Sequence, residues 1–351
     1  MSRARDFADL ASSADAGGIS GQNILYNGAM NVAQRFTSFV GVATTGYKTC
    51  DRWKTVISSS GRHTQSRASD GPSGFANSLK LDCTTADTTI ATSEFLIIRQ
   101  ILEGQDLQML AKGTPDAKPV TLSFYAKGTA KTYMVEWRDT DNNRMVTNRF
   151  TVSSSWQRFT FSIPADTTGT ITDDNTQAFQ LNFWLHAGAT YTGGTYTANT
   201  WQTETDANKA VGIDSFFDST DNELFITGVQ LELGEKATPF QHLTFGDELA
   251  RCQRYYEQLG PSVISSGNGY SYALASYDGS ATNMWLTIDF ATTKRTAPTS
   301  LDLINGYGWV GDPSVFGYGR NGITMHRAGD GIIRKLSTSS TVNTVEVDCE
   351  L

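Results

Sequence analysis

Residues 179–186 (FQLNFWLH) alternate large apolar side chains with side chains that could bind a sugar. The second set comprises Gln180, Asn182, Trp184 and His186. An indole ring can cover the apolar C–H face of a pyranose, while amides and an imidazole bind its hydroxyls. This strand therefore predicts a glycan-binding sheet face. The competing interpretation is that Trp184 is buried by a loop or a neighbouring subunit, since large aromatic side chains are usually mostly buried.

A neighbouring predicted strand, residues 133–138 (YMVEWR), could add further aromatic rings to this face through Tyr133 and Trp137. The alternation of this strand places Glu136 and Arg138 on its opposite side, where they are expected to form a solvated pair.

A second candidate surface lies near the C-terminus, where Tyr307, Trp309, Tyr318 and Arg320 occur among glycine-rich turns, with His326 close by. Aromatic side chains on loops are typical of recognition surfaces. The alternative is that Tyr307 and Trp309 fill a thin core or a seam between subunits.

Motifs of known catalytic sites are absent from the sequence. It has no HExxH, GxSxG, P-loop or GxGxxG pattern, and its four histidines (His63, His186, His242 and His326) show no metal-pair spacing. Carboxylates are plentiful, so a pair suited to glycoside hydrolysis stays open, although no local motif marks one. Residues 139–143 (DTDNN) lack the glycine and the glutamate of an EF-hand and predict a hairpin turn. We expect no enzymatic activity, no cofactor and no assigned metal site.

Composition argues against a nucleic-acid partner, membrane insertion and disulfide bonds. A formal net charge of −8 and a pI of about 5.1 argue against a nucleic-acid partner, which would need clustered Lys and Arg. No run of eighteen apolar residues occurs, so membrane insertion is not expected. The cysteines at 50, 83, 252 and 349 are scattered and are expected to be reduced, buried thiols.

Short alternating segments separated by Gly, Asp and Asn turns predict an all-β fold. In residues 21–243 the predicted strands are 77–82, 120–125, 133–138, 156–164, 179–186 and 223–233. With no alternation of strands and helices, this pattern favours a jelly-roll β-sandwich.

The rest of the chain divides around one predicted helix. Residues 228–233 form a half-buried strand, and an acidic N-terminus followed by apolar positions predicts a linker helix at 247–258, within a segment 244–258. Residues 259–351 are expected to form a smaller β domain with strands at 284–290, 323–326, 331–336 and 342–347. Residues 1–20 form an arm with a short helical pattern at 4–10, or a frayed terminus.

Several segments resemble one family in their order and spacing. Residues 228–258 (GVQLELGEKATPFQHLTFGDELARCQRYYEQ) are the longest, joined by 23–38 (NILYNGAMNVAQRFTS), Asp51-Arg52-Trp53, 179–201, 295–298 (RTAP) and 345–351 (VEVDCEL). Together they span most of residues 21–351 and are similar to tail-fibre or receptor-binding proteins of tailed bacteriophages that carry a carbohydrate-binding-module-like jelly roll. None of these motifs is catalytic.

The resemblance implies a virion protein, made in the host cytoplasm, that is a homotrimer. Its residues 1–20 would dock on the phage tail or baseplate, and it would bind a host surface polysaccharide or lipopolysaccharide. Jelly-roll carbohydrate modules often hold a structural calcium, but no residues match such a site here. Two alternatives stay open: a structural fibre or decoration protein that reads no receptor, and a glycan depolymerase or lyase. The last is disfavoured because depolymerases usually carry long β-helix repeats, which this sequence lacks.

Overall fold

A computed structural model describes residues 23–259, 275–277, 283–298, 300–303, 309–310, 314–328, 334–335 and 345–351. The strands of the first unit are β1 (Ser38–Val42), β2 (Gly46–Tyr47), β3 (Lys54–Ser58), β4 (Arg62–Ala68), β5 (Ser78–Thr85), β6 (Phe95–Glu103), β7 (Val120–Gly128), β8 (Lys131–Asp139), β9 (Arg144–Val152), β10 (Gln157–Ile163), β11 (Gln177–Ala187), β12 (Gln202–Thr203) and β13 (Glu223–Leu233). A 3-10 helix at Gly104–Leu110, helix α1 (Ala189–Thr192) and a 3-10 turn at Asp206–Asn208 interrupt them. The predicted arm at residues 1–20 lies outside the described residues.

These strands form two antiparallel sheets that pack face to face. Sheet A has the order β1-β4-β5-β13-β7-β10, and sheet B has the order β12-β9-β8-β11-β6-β3-β2. Consecutive strands repeatedly cross from one sheet to the other, which makes the unit a jelly-roll β-sandwich. All six strands predicted in this region are present, and their ends differ from the predicted bounds by three residues at most.

Aromatic rings hold the two sheets together. Phe124 of β7 in sheet A lies 5.0 Å, centroid to centroid, from Phe183 of β11 in sheet B. Phe150 of β9 and Phe159 of β10 complete the group at 5.1 and 5.4 Å from Phe124. Burying such side chains stabilises the sandwich by roughly 1.5–3 kcal/mol each. The apolar half of the 179–186 alternation is therefore core, as predicted.

Strand β13 is buried on both faces, so its expected half-burial is wrong. Gln230 and Glu232 point away from the core but are fully buried. The chain after β13 folds back over them: the Thr238 amide and hydroxyl donate to Glu232 at 2.9 and 2.6 Å, and the Gln241 amide donates to Gln230 Oε1 at 2.7 Å.

The predicted linker helix is shorter than expected. Helix α2 (Phe245–Gln253) begins after Thr244, whose hydroxyl accepts from the Asp247 amide at 3.3 Å. Tyr255 and Tyr256 lie beyond its end, and Tyr256 starts strand β14 (Tyr256–Leu259). The chain divides into its two compact units within α2, between Glu248 and Leu249.

The second unit is also built from antiparallel strands. Its further strands are β15 (Ala275–Tyr277), β16 (Asn283–Asp289), β17 (Ser300–Leu303), β18 (Trp309–Val310), β19 (Ser314–Tyr318), β20 (Gly322–Ala328), β21 (Arg334–Lys335) and β22 (Val345–Asp348). They form the sheets β14-β22-β17, β15-β16-β20-β19 and β18-β21. A buried ion pair joins Lys294 Nζ to Glu257 Oε2 at 2.5 Å.

Two predictions from composition concern the whole chain. Cys50, Cys83, Cys252 and Cys349 are free and buried, as expected. Burial raises the pKa of the Cys50 thiol to about 12 and that of Cys83 to about 11. Within the described residues, no helix has the length and apolarity needed to cross a bilayer.

Candidate functional site

The sheet face predicted from residues 179–186 exists but is covered. Gln180, Asn182 and Trp184 point away from sheet A, on the outer face of sheet B, yet they are 3%, 0% and 3% exposed. The indole of Trp184 packs with Ile97, Met134 and Ala210 beneath the segment that follows β11. The prediction of an accessible glycan-binding face at these residues is corrected, because residues 188–213 fold back over it.

A polar network fixes these buried side chains. Glu136 Oε2 accepts hydrogen bonds from Trp184 Nε1 and Asn182 Nδ2, both at 2.8 Å. Asn182 Oδ1 in turn accepts from Arg99 Nε at 2.6 Å. Burial in this network lowers the pKa of Arg99 to about 10, opposed by the nearby Glu136 carboxylate. The network compensates Trp184 Nε1, Asn182 and Glu136 Oε2 for lost water, although Glu136 Oε1 has no partner among the described residues, and it makes the face structural.

The expected solvated pair of Glu136 and Arg138 is therefore wrong. Glu136 is fully buried. Arg138 donates through Nε to Glu204 Oε2 at 2.6 Å and through Nη1 to Gln180 Oε1 at 3.2 Å. Both side chains instead hold the covering segment and strand β11 in place.

Tyr133 and Trp137 lie on the opposite side of sheet B from Trp184. Trp137 stacks on Phe179 with centroids 4.6 Å apart, and Tyr133 packs against Phe150 at 5.9 Å, inside the sandwich. Burial raises the pKa of the Tyr133 hydroxyl well above its ordinary value. Both rings are core, so neither can add a second aromatic to the predicted glycan face.

A β-bulge changes the direction of His186. Trp184 pairs with Ile97, but the next pair is His186 with Leu96, so one extra residue of β11 is inserted. Since paired residues share a face, the bulge turns His186 to the inner side. There its ring lies 5.3 Å from that of Phe217. His186 is fully buried and does not belong to the outer face on which the alternation placed it.

The C-terminal candidates are described only in part. Tyr307 lies outside the described residues, and Trp309 and Tyr318 belong to β18 and β19, whose side chains are not described. His326 is likewise described only as a residue of β20. Arg320 is exposed, and its Nε donates to the Lys294 carbonyl at 2.8 Å. The recognition surface expected here stays a prediction.

Sequence reasoning missed a row of aromatic rings on the outer face of sheet A. We call Phe75, Tyr125 and Trp156 the aromatic strip. Tyr125 points outward from β7, Trp156 directly precedes β10, and Phe75 lies between β4 and β5. Each of the three is half-buried. The alternation of β7, with Val120, Leu122 and Phe124 inward, already implied that Tyr125 points outward.

Ion pairs and cation–π contacts hold the Trp156 end of the strip. Asp70 Oδ1 accepts from the indole Nε1 at 3.3 Å, and Asp70 Oδ2 accepts from Lys127 Nζ at 2.7 Å. Lys127 Nζ lies 5.3 Å from the Trp156 ring centroid and 4.7 Å from that of Phe225. The hydrogen bond from Lys127 holds the pKa of Asp70 below its ordinary value. The indole is thus fixed in orientation although one part of it reaches solvent.

The other end of the strip packs over a glycine. The Phe75 centroid lies 5.4 Å from that of Tyr125 and 5.0 Å from that of Phe240. Gly228 has φ +60°, and a Cβ there would approach Phe75 Cζ to 2.8 Å and Tyr125 Cδ2 to 3.0 Å. Only glycine therefore lets the rings lie against β13 at this point.

A side-chain cation occupies an oxygen-rich position at one end of the sandwich. Lys112 Nζ lies 2.6 Å from Asp139 Oδ2 and 3.2 Å from Asp166 Oδ2. It also donates to the carbonyls of Thr168 and Gly169 at 2.6 and 2.9 Å. Asp139 opens the hairpin turn predicted at 139–143, which the structure confirms between β8 and β9. The ammonium supplies here the positive charge that these oxygens require.

Comparison with known proteins finds similarity only among solved structures. No family model matches, and no curated protein matches. The enzymatically active domain of tailspike protein 4 from bacteriophage CBA120 aligns with 12% identity and a TM-score of 0.32, covering 60% of this chain and 21% of that one. This chain thus spans about a fifth of that domain. A family 11 carbohydrate-binding module of a Clostridium thermocellum cellulase aligns with 14% identity and a TM-score of 0.29, covering 56% and 100%. A family 30 carbohydrate-binding module aligns with 11% identity and a TM-score of 0.30, covering 60% and 98%.

Proposed function

We propose that this chain is a bacteriophage tail-fibre protein whose β-sandwich binds a host cell-surface glycan through the aromatic strip. The observation that carries this proposal is the contrast between the two sheets. The outer face of sheet B buries its tryptophan under a loop, whereas the outer face of sheet A keeps Phe75, Tyr125 and Trp156 half-buried. Rings that remain partly open on a rigid sheet are suited to recognition.

The chemistry around the strip fits a sugar. A pyranose can lay its C–H face on the fixed indole of Trp156, while charged groups beside it bind hydroxyls. Asp70 and Lys127 are already held at the indole edge, and Arg158 lies with its guanidinium 5.9 Å from the Tyr125 centroid. Because these side chains are positioned before binding, little side-chain entropy is lost when a ligand arrives.

The tail-fibre part of the proposal rests on the ordered motifs in residues 21–351, which resemble fibre proteins. In that role, residues 1–20 dock on the tail or baseplate of the virion, and the protein is a homotrimer. Several copies on one particle raise the avidity of a site that binds a single glycan weakly. The proposed role is binding without catalysis, so incubation with host polysaccharide releases no new reducing ends.

The test compares two variants of the fluorescently labelled full chain on candidate host cells and on their purified polysaccharide. Trp156→Ala removes the fixed ring of the strip. Phe36→Ala is the matched control, because Phe36 is 53% exposed and lies outside the strip. We expect Trp156→Ala to weaken binding at least about tenfold, from the loss of ring stacking, and Phe36→Ala to leave it unchanged.

Two other outcomes would point elsewhere. Saturable binding that is equal in both variants would refute the strip as the binding surface. If the wild-type chain bound no plausible host, the rival role of a structural fibre or decoration protein would be favoured, consistent with the burial of Trp184 inside the fold.

A further inference from the structure

Three side chains converge at the end of the sandwich where the β5–β6 connection meets β11. They are Asp87, Glu94 and His186. One ligand atom of each lies within 4.8 Å of the other two, and His186 Nε2 is 4.0 Å from Glu94 Oε2. Asp87 and His186 are buried, and the Glu94 side chain is 15% exposed. Neither the proposed glycan site nor the polar network uses these groups.

The backbone fixes this arrangement. The Asp87 amide donates to the Phe217 carbonyl at 2.7 Å, and the Gly188 amide donates to the Glu94 carbonyl at 2.8 Å. The β-bulge in β11 turns His186 inward, toward the two carboxylates, instead of onto the outer sheet face. The cluster is therefore built by paired and bonded segments, not by loose surface loops.

His186 presents an unsatisfied nitrogen to the carboxylates. Its Nδ1 lies 2.7 Å from Ser215 Oγ, while Nε2 is buried and has no hydrogen-bond partner in the described part of the chain. If Nδ1 carries the proton, the Nε2 lone pair lies 4.0 Å from the negative Glu94 carboxylate. If Nε2 carries it, the nearest carboxylate oxygen at 4.0 Å is too distant for a hydrogen bond. Both tautomers leave Nε2 uncompensated.

The hydrogen-bond donors to the two carboxylates in the described part of the chain are uncharged. Within the described residues, Asp87 Oδ2 accepts from neutral donors, the Ser59 hydroxyl at 2.8 Å and the Ser60 amide at 3.3 Å. Glu94 Oε2 accepts from the Ala91 amide at 2.7 Å. A neutral imidazole with two carboxylates carries a charge that one divalent cation balances.

We propose that Asp87, Glu94 and His186 bind one divalent transition-metal ion, with Zn²⁺ the best fit. Imidazole nitrogen and carboxylate oxygen together favour Zn²⁺ over Ca²⁺, which takes oxygen ligands. Two ligands about 2.1 Å from a tetrahedral ion lie about 3.4 Å apart. The His186–Glu94 separation of 4.0 Å and the other separations, all within 4.8 Å, therefore close by about 1.4 Å at most through side-chain movement. The hydrogen bond between Ser215 Oγ and His186 Nδ1 then orients the imidazole ring toward the ion. The ion ties the β5–β6 connection to the end of β11.

The test uses the full chain after treatment with a chelator, titrated with Zn²⁺ and, separately, with Ca²⁺. Heat of binding and unfolding temperature are both measured. We expect one saturating equivalent of Zn²⁺ that raises the unfolding temperature, and no saturation with Ca²⁺. Glu94→Gln should abolish that binding step, and Ser215→Ala should weaken it about 10–100-fold.

Two controls keep the result interpretable. His242→Gln alters an exposed histidine outside the cluster and should bind Zn²⁺ as the wild type does. The unfolding temperature of Glu94→Gln without metal should stay near that of the metal-free wild type, which shows that the variant folds. No saturable Zn²⁺ binding by the wild type, equal binding by Glu94→Gln, or tighter binding of Ca²⁺ would each overturn the proposal.

Discussion

Replacing Lys112 by methionine tests how much its contacts with the surrounding carboxylate and carbonyl oxygens stabilise the end of the sandwich. The change removes the ammonium that lies 2.6 Å from Asp139 Oδ2 and 3.2 Å from Asp166 Oδ2. Methionine keeps a flexible apolar stem of similar length. The measured loss therefore reports the missing charge and hydrogen bonds more than a cavity.

The expected loss of unfolding free energy follows from the hydrogen bonds that each carboxylate keeps in the variant. Asp166 retains Arg144, which donates to its two oxygens at 2.7 and 3.1 Å. Among the donors in the described part of the chain, Asp139 keeps the neutral ones of Asn142, at 3.0 and 2.9 Å, and it is fully buried. Removing one partner of a buried ion pair costs about 3–5 kcal/mol, and we expect the lower part of that range because Asp166 stays paired. With a urea m value of about 3 kcal/mol/M, the midpoint of unfolding falls by about 1 M.

Urea unfolding followed by tryptophan fluorescence measures this loss. Lys118→Met is the matched control, because Lys118 is exposed nearby and should change stability by less than about 0.5 kcal/mol. Adding Asp139→Asn to Lys112→Met removes the stranded charge and should recover part of the loss. A loss under about 1 kcal/mol, or no recovery in the double variant, would refute the reasoning that Asp139 depends on the ammonium.

Three further predictions concern stability and assembly. Trp184→Ala should destabilise the sandwich by about 3–5 kcal/mol in the same urea assay, and a change below about 1 kcal/mol would mean that its covering segment contributes little. Burial raises the pKa of Asp166, but hydrogen bonds from Arg144 and Thr168 outweigh this and leave the pKa below its ordinary value. Its contribution to stability is thus present above the unfolded-state pKa and is lost as the pH falls through the folded-state pKa, so Asp166→Asn should flatten the acid limb of stability against pH. Sedimentation at micromolar concentration should give the mass of a trimer, and a monomer would contradict the proposed fibre assembly.

The sandwich strands could be predicted because each has one face in a common core. In β7, β8 and β11 the inward residues repeat every second position, and a repeat of two places them on one side of a sheet whatever the partner strand is. The apolar sets around Phe124 and Phe183 followed from that rule alone. The order of the strands within the two sheets did not, because local alternation carries no information on pairing.

Burial of the outer face of sheet B could not be read from the same alternation. Gln180, Asn182 and Trp184 have the pattern of a solvent-facing row, and the pattern correctly places them on one side. What covers them is residues 188–213, a segment rich in Gly, Thr and Tyr whose composition predicts only turns. Its position over the sheet depends on long-range contacts, such as the one between Arg138 and Glu204 at 2.6 Å.

The aromatic strip is a surface that the sequence analysis did not predict. The outward position of Tyr125 followed from the alternation of β7, but one outward-facing tyrosine on a strand is ordinary. Tyr125 becomes part of a candidate binding surface only because Phe75 packs beside it, with Phe240 against Phe75 and Gly228 beneath the rings. Phe75 lies fifty residues before Tyr125 in the sequence, and Phe240 lies more than a hundred residues after it. The sequence shows a glycine at position 228, but it does not show that Phe75 and Tyr125 pack against that glycine.

His186 shows why one inserted residue can move a side chain from one possible function to another. Strict alternation groups it with Trp184 on the outer face, where it would bind hydroxyls. The pairing of Trp184 with Ile97 and of His186 with Leu96 shifts the register, and beyond that point every side chain of β11 changes face. The imidazole therefore meets Asp87 and Glu94 from the β5–β6 connection instead of a sugar. The bulge is visible only in the pairing of β11 with β6, so the sequence of β11 alone cannot distinguish the two directions. Zn²⁺ binding that depends on Glu94 would show that the inward direction has a chemical use.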